Sequence, residues 1–365
     1  MIDQLDIFSF IEEKQHTYKI KNKIRLIELF AGIGSQAKAL KNIGADFEHY
    51  KVVEFDKYAI ASYNAIHNTN FTTKDITKTK ASDLEIVETD KYCYIMTYSF
   101  PCQDLSLVGK QKGMAKGTST RSGLLWEVER ILNECKELPQ VLLMENVPQV
   151  HSKKNIVDFD KWIEFLQSKG YSNFWQDLNA KDYGTPQSRN RTFMVSILGS
   201  YDYIFPKSFE LKLRLKDMLE DEVDEKFYLS DKQVESIKTS TYTQNQRRIQ
   251  DKNICDTLCT RDWKDPKVVV LGNYSPSNHN ASRIVDNNGI APTVMENHGT
   301  VTATKIGLRT RKLTPKEYWR LMGFDDEDYE KASKVNSNSQ LYKQAGNSIV
   351  VNVLEAIFKE LIWKK

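Results

Sequence analysis

The sequence predicts an α/β fold: a parallel sheet covered by helices on both faces, joined to a smaller, irregular β-rich region. Three observations lead there. Short apolar runs alternate with helical patterns over residues 24–200, the signature of strands joined by crossover helices. That alternation stops near 200, where Asn, Ser, Thr and short β-branched runs take over. The chain then closes on an apolar helix, VVNVLEAIFKELIW (350–363), which needs a core, and the first unit is the expected host.

Composition agrees. At roughly 150 residues per domain, 365 residues fit two domains. The 40% hydrophobic and 28% charged content excludes wholesale disorder. No apolar run is long enough for a membrane span, and the acidic start MIDQLDIFSFIEEKQ is unlike a secretory signal. Five widely spaced cysteines, an odd number, argue for a reducing interior, hence a cytoplasmic setting. Cys255 and Cys259 have no partner motif nearby and read as ordinary thiols, so no metal site is expected.

The elements follow in order. IRLIELF (24–30) reads as a buried strand, followed by a Gly-rich turn and a helix from about Ser35 to Ile43. YKVVEF (50–55), YCYIMTYSF (92–100), VLLMENV (141–147) and FMVSIL (193–198) read as further strands. GLLWEVERILNECKEL (123–138) and WIEFLQSKG (162–170) are amphipathic helices, the second stopped by Gly170. VVVL (268–271) is a strand of the β-rich region, and RIQDKNICDTL (248–258) weakly repeats as RIVDNNGIAPTV (283–294). LTPKEYWRLMGF (313–324) carries a capping box, with Thr314 as N-cap, Pro315 first, Glu317 third and Gly323 near the end. An acidic run at 217–225 precedes a stretch, 226–311, with thirteen Lys/Arg against eight Asp/Glu. That stretch is a candidate anion-binding face or simply a solvated one.

The chemistry-bearing residues cluster at predicted strand ends. ELFAGIGS (28–35) puts Gly32 and Gly34 in a strand–helix turn whose backbone N–H groups approach a ligand. Glu54, 22 residues after Gly32, stands where a ribose diol is gripped, and Asp75 is a candidate acceptor for an adenine amino group. Position 37 is alanine, so the dinucleotide fingerprint is incomplete, and an adenosyl ligand without pyrophosphate is favoured over NAD. In SFPCQDLS (99–106), Pro101 rigidifies the approach to Cys102, a candidate nucleophile rather than a buried structural thiol. The Gly-rich loop 107–123 behind it is able to hinge over a site. Glu145 of ENVP reaches the same sheet edge as an acid–base candidate, the alternative being a turn cap. Arg189 and Arg191 alternate into a strand and suit phosphate or carbonyl oxygens, unless they are merely exposed. Gly346, Asn347 and Ser348 form a further polar loop before the last helix.

In this order, FAGIGS, Glu54, Asp75, PCQ, ENV, the QxRxR of Gln187–Arg191, RKLTPKEYWRLMGF and GNSIV make the chain resemble the C5-cytosine DNA methyltransferases of bacteria and phages. The resemblance covers the first 200 and last 55 residues, and over 201–310 it is one of position only. It implies a Rossmann-like S-adenosylmethionine-dependent methyltransferase sheet of seven strands. The large catalytic and cofactor-binding domain would span 1–200, completed by 341–365, with a target-recognition domain at 201–340.

The resemblance also implies roles. Cys102 adds to cytosine C6, Glu145 serves N3, Arg191 holds O2, and Arg189 holds a phosphate or the site's framework. The target base must leave the helical stack. Phe30 packs on adenine, Glu54 binds the ribose, and Asp75 takes the adenine amino group. Ala31, Gly32, Gly34, Pro101, Asn347 and Ser348 surround the rest of S-adenosylmethionine. The implied partner is double-stranded DNA, with the chain a monomer in bacterial cytoplasm or a phage-infected host, and any cognate restriction endonuclease acting separately. A tRNA C5-cytosine methyltransferase of the same fold is the runner-up, against which the long 201–310 segment speaks. A catalytically dead binding regulator is disfavoured by intact Cys102, Glu145 and Arg191.

Overall fold

The computed structural model describes residues 17–101, 104–105, 113–117, 120–230, 270–273, 283–294, 302–306 and 309–362. Cys102, Cys255, Cys259, residues 107–112 and 118–119 of the Gly-rich loop, the repeat copy at 248–258 and most of the basic stretch lie outside the described residues.

The central sheet is built from β1 (Ile24–Leu29), β2 (Phe47–Val53), β3 (Cys93–Tyr98), β4 (Val141–Asn146), β5 (Tyr171–Asn179) and β6 (Asn190–Leu198), in the order β2-β1-β3-β4-β6-β5. β3 and β4 are buried at every position, which is why they read as continuous apolar runs. β2, β1, β3 and β4 run parallel.

Three expectations need correction. Among the described residues this sheet has six strands, not seven. It is also not parallel throughout, because β6 pairs antiparallel with both β4 and β5. The chain returns from β5 to β6 through a 3-10 turn at Ala180–Tyr183 rather than a crossover helix, and a short return of this kind reverses direction. β5 itself (YSNFWQDLN) was not foreseen. It is an edge strand, half-buried and rich in Asn, Asp and Gln, so it lacks an apolar run.

Alternation along the strands makes two cores. Leu26, Ile95, Leu143 and Val195 face a layer holding Leu40, Leu354, Ile357 and Phe358. Those last four come from α1 (Ser35–Asn42) and, below, from the final helix. Ile27, Met96, Leu142 and Met194 face α4 (Leu125–Glu134) and α5 (Ile156–Ser168) through Val128, Ile131 and Trp162. Between β2 and β3 run α2 (Lys57–His67) and the short α3 (Ala81–Leu84).

A second sheet holds β7 (Val270–Asn273), β8 (Arg283–Val285), β9 (Ala303–Ile306) and β10 (Arg309–Lys312), with β8 and β9 parallel and the outer pairs antiparallel. After it come α6 (Pro315–Leu321), α7 (Asp326–Ser333), α8 (Asn338–Asn347) and α9 (Val351–Leu361). The last helix meets the chain start, where the Ile20 N–H donates to the Leu361 carbonyl at 2.7 Å.

One further expectation changes here. Gly346 and Asn347 close α8 rather than forming a free loop, with Ser348 at its C-cap. Residues 313–340 pack against the first unit as well as against the second sheet. Trp319, Leu321, Phe324 and Ala332 share a core with Ile33, Ala37 and Leu40, and Lys38 of α1 pairs with Asp328 of α7 at 2.8 Å.

The capping box is present as expected, with Pro315 leading α6. Its acid does more than cap. Glu317 is fully buried and forms a bidentate pair with Arg311 of β10 at 2.6 and 2.9 Å. It also accepts from the Thr314 N–H at 2.7 Å and the Glu220 N–H at 2.9 Å. Removing one partner strands a buried charge. Arg311→Met is expected to lower stability by about 3–5 kcal/mol in urea unfolding, far more than substitution of the exposed Arg309–Glu225 pair.

Candidate active site

The site forms where β1, β2, β3 and β4 end and their loops begin. After β1 the backbone turns through left-handed conformations at Phe30 (φ 59°), Gly32 (φ 57°) and Gly34 (φ 81°). Phe30 adopts this without being glycine, a strained choice of the kind found at ligand sites. At Gly32 the space where a Cβ would point is open for 4 Å, so a ligand has room against the backbone. Gly34 is required for the opposite reason: a Cβ there would overlap His67 and stand 2.7 Å from the Tyr63 ring.

Glu54 follows β2 and closes on this turn. One carboxylate oxygen accepts from the Gly32 N–H at 2.8 Å and the other from the Asp56 N–H at 2.7 Å. Burial raises its pKa, against the pull of those two N–H groups. Asp75 is drawn toward the same place, because the neighbouring Lys74 N–H donates to the Glu54 carbonyl at 2.8 Å. Its carboxylate accepts from the Thr77 hydroxyl at 2.8 Å and N–H at 3.0 Å, which hold its pKa down. Phe55, next to Glu54, is 77% exposed. An exposed aromatic beside the expected ribose acid is a ready stacking face that the sequence reading passed over.

Pro101 follows β3. Its carbonyl accepts from the Ser122 hydroxyl at 2.7 Å, and the preceding Phe100 carbonyl accepts from the buried Asn146 side chain at 2.9 Å. The middle residue of ENV thus braces the backbone leading to Cys102. This brace was not foreseen, although a buried Asn between a strand and a proline was its signal.

Glu145 is 8% exposed, and its carboxylate stands 3.2 Å from Arg191 Nε. Burial raises its pKa, opposed by Arg191 and Arg189. Both arginines therefore act on one carboxyl, and neither is merely exposed. Their environments differ. Arg191 donates to the Asn190 carbonyl at 2.7 Å and sets its Nε against Glu145. Arg189 is 5% exposed and donates to the carbonyls of Val294 (2.7 Å), Gly346 (3.0 Å) and Ser348 (2.9 Å).

Gln187 makes a parallel brace. It donates to the Leu321 carbonyl at 2.7 Å and accepts from the Val294 N–H at 2.9 Å. The turn after α8 reaches the other side too, where the Ile349 N–H meets the Ser35 hydroxyl at 3.3 Å. Ser348 and Asn347 thus lie between the β1 turn and the Arg189 fork. Arg189→Lys keeps the charge but cannot span three carbonyls. It is expected to cost roughly 2–4 kcal/mol in thermal or urea unfolding, the scale of one or two charged hydrogen bonds with acceptors left unpaired.

The chain is similar to known proteins over most of its length. Residues 24–363 fit the family model of C-5 cytosine-specific DNA methylases. The type II methyltransferase M2.ScrFI of Lactococcus lactis subsp. cremoris is 34% identical, over 93% of this chain and 99% of its own. The orphan methyltransferase M.SssI of Spiroplasma monobiae is 33% identical, over 94% and 99%. Type II methyltransferase M.HhaI of Haemophilus parahaemolyticus is 34% identical, over 93% and 95%. Among solved structures, the S. pombe Dnmt2 methyltransferase superposes with a TM-score of 0.66 at 20% identity, covering 92% of this chain and 97% of that one, a likeness of fold. With its turn, its buried glutamate and its paired arginines in the order of the motifs, the chain belongs to the C5-cytosine-specific DNA methylase family.

Proposed function

We propose that this enzyme flips a cytosine out of duplex DNA and methylates its C5 through a covalent bond between Cys102 and C6. The observation that carries the reading is the Glu145 carboxyl, buried at the end of β4 with Arg191 at 3.2 Å. Cytosine C5 is a weak nucleophile. Addition of the Cys102 thiolate to C6 turns C5 into an enamine carbon. Charge then develops toward N3 and O2. A carboxyl whose pKa is raised by burial keeps a proton to share with N3, and the Arg191 guanidinium is suited to O2. C5 would take the methyl group, and loss of its proton to a base would then restore the C5–C6 double bond and expel the thiolate. Arg189, committed to three carbonyls, fits the framework role rather than a phosphate.

The turn at 30–34 suits S-adenosylmethionine, because Gly32 leaves open space beside a backbone already bonded to Glu54. When bound, this cosubstrate supplies a methyl group on a sulfonium. Glu54 would then take the ribose hydroxyls, Asp75 the adenine amino group, and Phe30 and Phe55 the adenine faces. Pro101, Asn347 and Ser348 would line the remainder. We assign catalysis and cofactor binding to 1–200 completed by 341–365, and target recognition to 201–340.

DNA methyltransferases among the relatives favour DNA over tRNA as substrate. Relatives of both type II and orphan kinds fit either a restriction-modification pair or a solitary enzyme, acting as a monomer in the cytoplasm. Among the described residues no helix is long and apolar enough to cross a membrane.

Methyl transfer from labelled cosubstrate to duplex DNA but not to tRNA is the direct test. With 5-fluorocytosine at the target position, a protein–DNA adduct should persist on denaturing gels, and Cys102→Ala should abolish it. Glu145→Gln should slow its formation by roughly 10²–10⁴-fold, the worth of a general acid. An active Cys102→Ala enzyme, or an adduct at another cysteine, would overturn the mechanism.

A further inference from the structure

Beneath the β1 turn lies a polar cluster that the mechanism does not use. Glu28, the second-last residue of β1, is fully buried. One of its oxygens accepts from the Tyr63 hydroxyl, while the other, Oε1, makes no hydrogen bond of ordinary geometry. Directly across on β3 stands Thr97, also fully buried, whose hydroxyl has no hydrogen-bond partner either. Two unpaired polar atoms at matched register on one sheet face are unusual in a protein interior.

The cluster continues to the turn itself. Tyr63 meets His49 Nδ1 at 2.8 Å, and its ring packs 4.6 Å from that of His67. His67 Nε2 lies 3.1 Å from the Ile33 carbonyl, so that nitrogen carries the proton and donates. Tyr63 and His67 are the two side chains that a Cβ on Gly34 would strike. The path therefore runs from Glu28 through Tyr63 to the backbone of residues 33–34.

We propose that Glu28 is a positioning residue for the cofactor turn, and that its ionised form, gripped by Tyr63, is the one that favours a cationic cosubstrate. This rests on the reading that the turn holds S-adenosylmethionine. Ionised Glu28 fixes Tyr63 as donor and so fixes the wall against which Gly34 packs. It also places a buried negative charge beneath a ligand that carries a sulfonium. Protonated Glu28 does neither.

The facing groups decide which proton matters. His49 of β2 is pushed down to about 4 by burial and Lys41, and His67 of α2 to about 3 by burial, His49, Lys41 and Lys38. Both are neutral near pH 7. Tyr63 is raised well above its ordinary value and stays protonated. Lys38 of α1 is held as a cation by Asp325 and Asp328. Glu28 alone in this cluster is brought by burial to about 7, despite the lowering pull of Tyr63 and the Ala37 N–H. Its folded value lies above its ordinary one, so the ionised fraction is small below pH 7 and grows as pH rises through it. Cofactor affinity should rise in the same direction. By reciprocity, binding should release a proton near pH 7.

The test is titration calorimetry of S-adenosylmethionine on the whole protein from about pH 6 to about pH 8, in buffers of different ionisation enthalpy. The wild type should bind roughly tenfold more tightly at the upper end, as for one unit of mutual pKa shift, with proton release. Glu28→Gln should lose both the slope and the released proton that Glu28 supplies, leaving whatever Glu54 contributes. Tyr63→Phe, which removes a donor to the ionised form, should move the midpoint to higher pH, and it serves as well if Glu28→Gln does not fold. A Glu28→Gln slope equal to the wild type's, or an unmoved midpoint in Tyr63→Phe, would overturn the proposal. Absence of binding at every pH in the wild type would instead overturn the cofactor reading itself.

Discussion

One guanidinium ties the molecule together at its working end. Arg189 gives hydrogen bonds to the carbonyls of Val294, Gly346 and Ser348, which come from the segment after β8 and from the end of α8. None of these backbone groups belongs to its own strand. A planar fork with several donors is the side chain able to satisfy such a set, and a buried carbonyl without a donor is costly. With Gln187 two residues earlier bonding Leu321 and Val294, the entry to β6 becomes the place where chain segments more than a hundred residues apart are held in register.

That junction explains how a dispersed set of motifs becomes one site. The turn after α8 is held by Arg189 on one side and touches Ser35 on the other. It therefore spans from the strand that carries Arg189 to the start of α1 beside the β1 turn. Glu145 stands beside Arg191, and Asn146 next to it faces the opposite way to brace the Phe100 carbonyl. Adjacent residues on a strand point to opposite faces. One dipeptide thus supplies both the buried acid and the support for the loop that carries Cys102.

Buried acids recur, and their surroundings separate their roles. Glu317 is bonded by a bidentate arginine and two N–H groups, so it acts as a structural rivet. Glu54 is bonded by N–H groups of the turn it serves. Glu145 has arginines nearby yet an elevated pKa, and Glu28 has a tyrosine and an unpaired oxygen. Full satisfaction by donors stabilises a carboxylate, whereas desolvation with sparse donors keeps a proton within reach. The first pattern holds the fold, and the second suits chemistry and proton linkage.

The sequence by itself determined the central strands, because β3 and β4 are buried at every position and β1 at all but Arg25, so apolar residues dominate them. It determined the α6 capping box, which is local by nature, and the identity of residues at the strand ends, because those motifs are contiguous. Only the tertiary structure decided the rest. The edge strand β5 is half-exposed and has no apolar run, and the reversal of β6 depends on a return too short to show as a helix. Helices α7 and α8 draw stability from contacts such as Lys38–Asp328 and Ser62–Gln344, whose partners lie nearly three hundred residues away. Arg189 reads in sequence as one of two arginines suited to phosphate or carbonyl oxygens, and Glu28 as one more residue of a strand. Their work depends on what burial brings beside them, and burial is a property of the assembled chain.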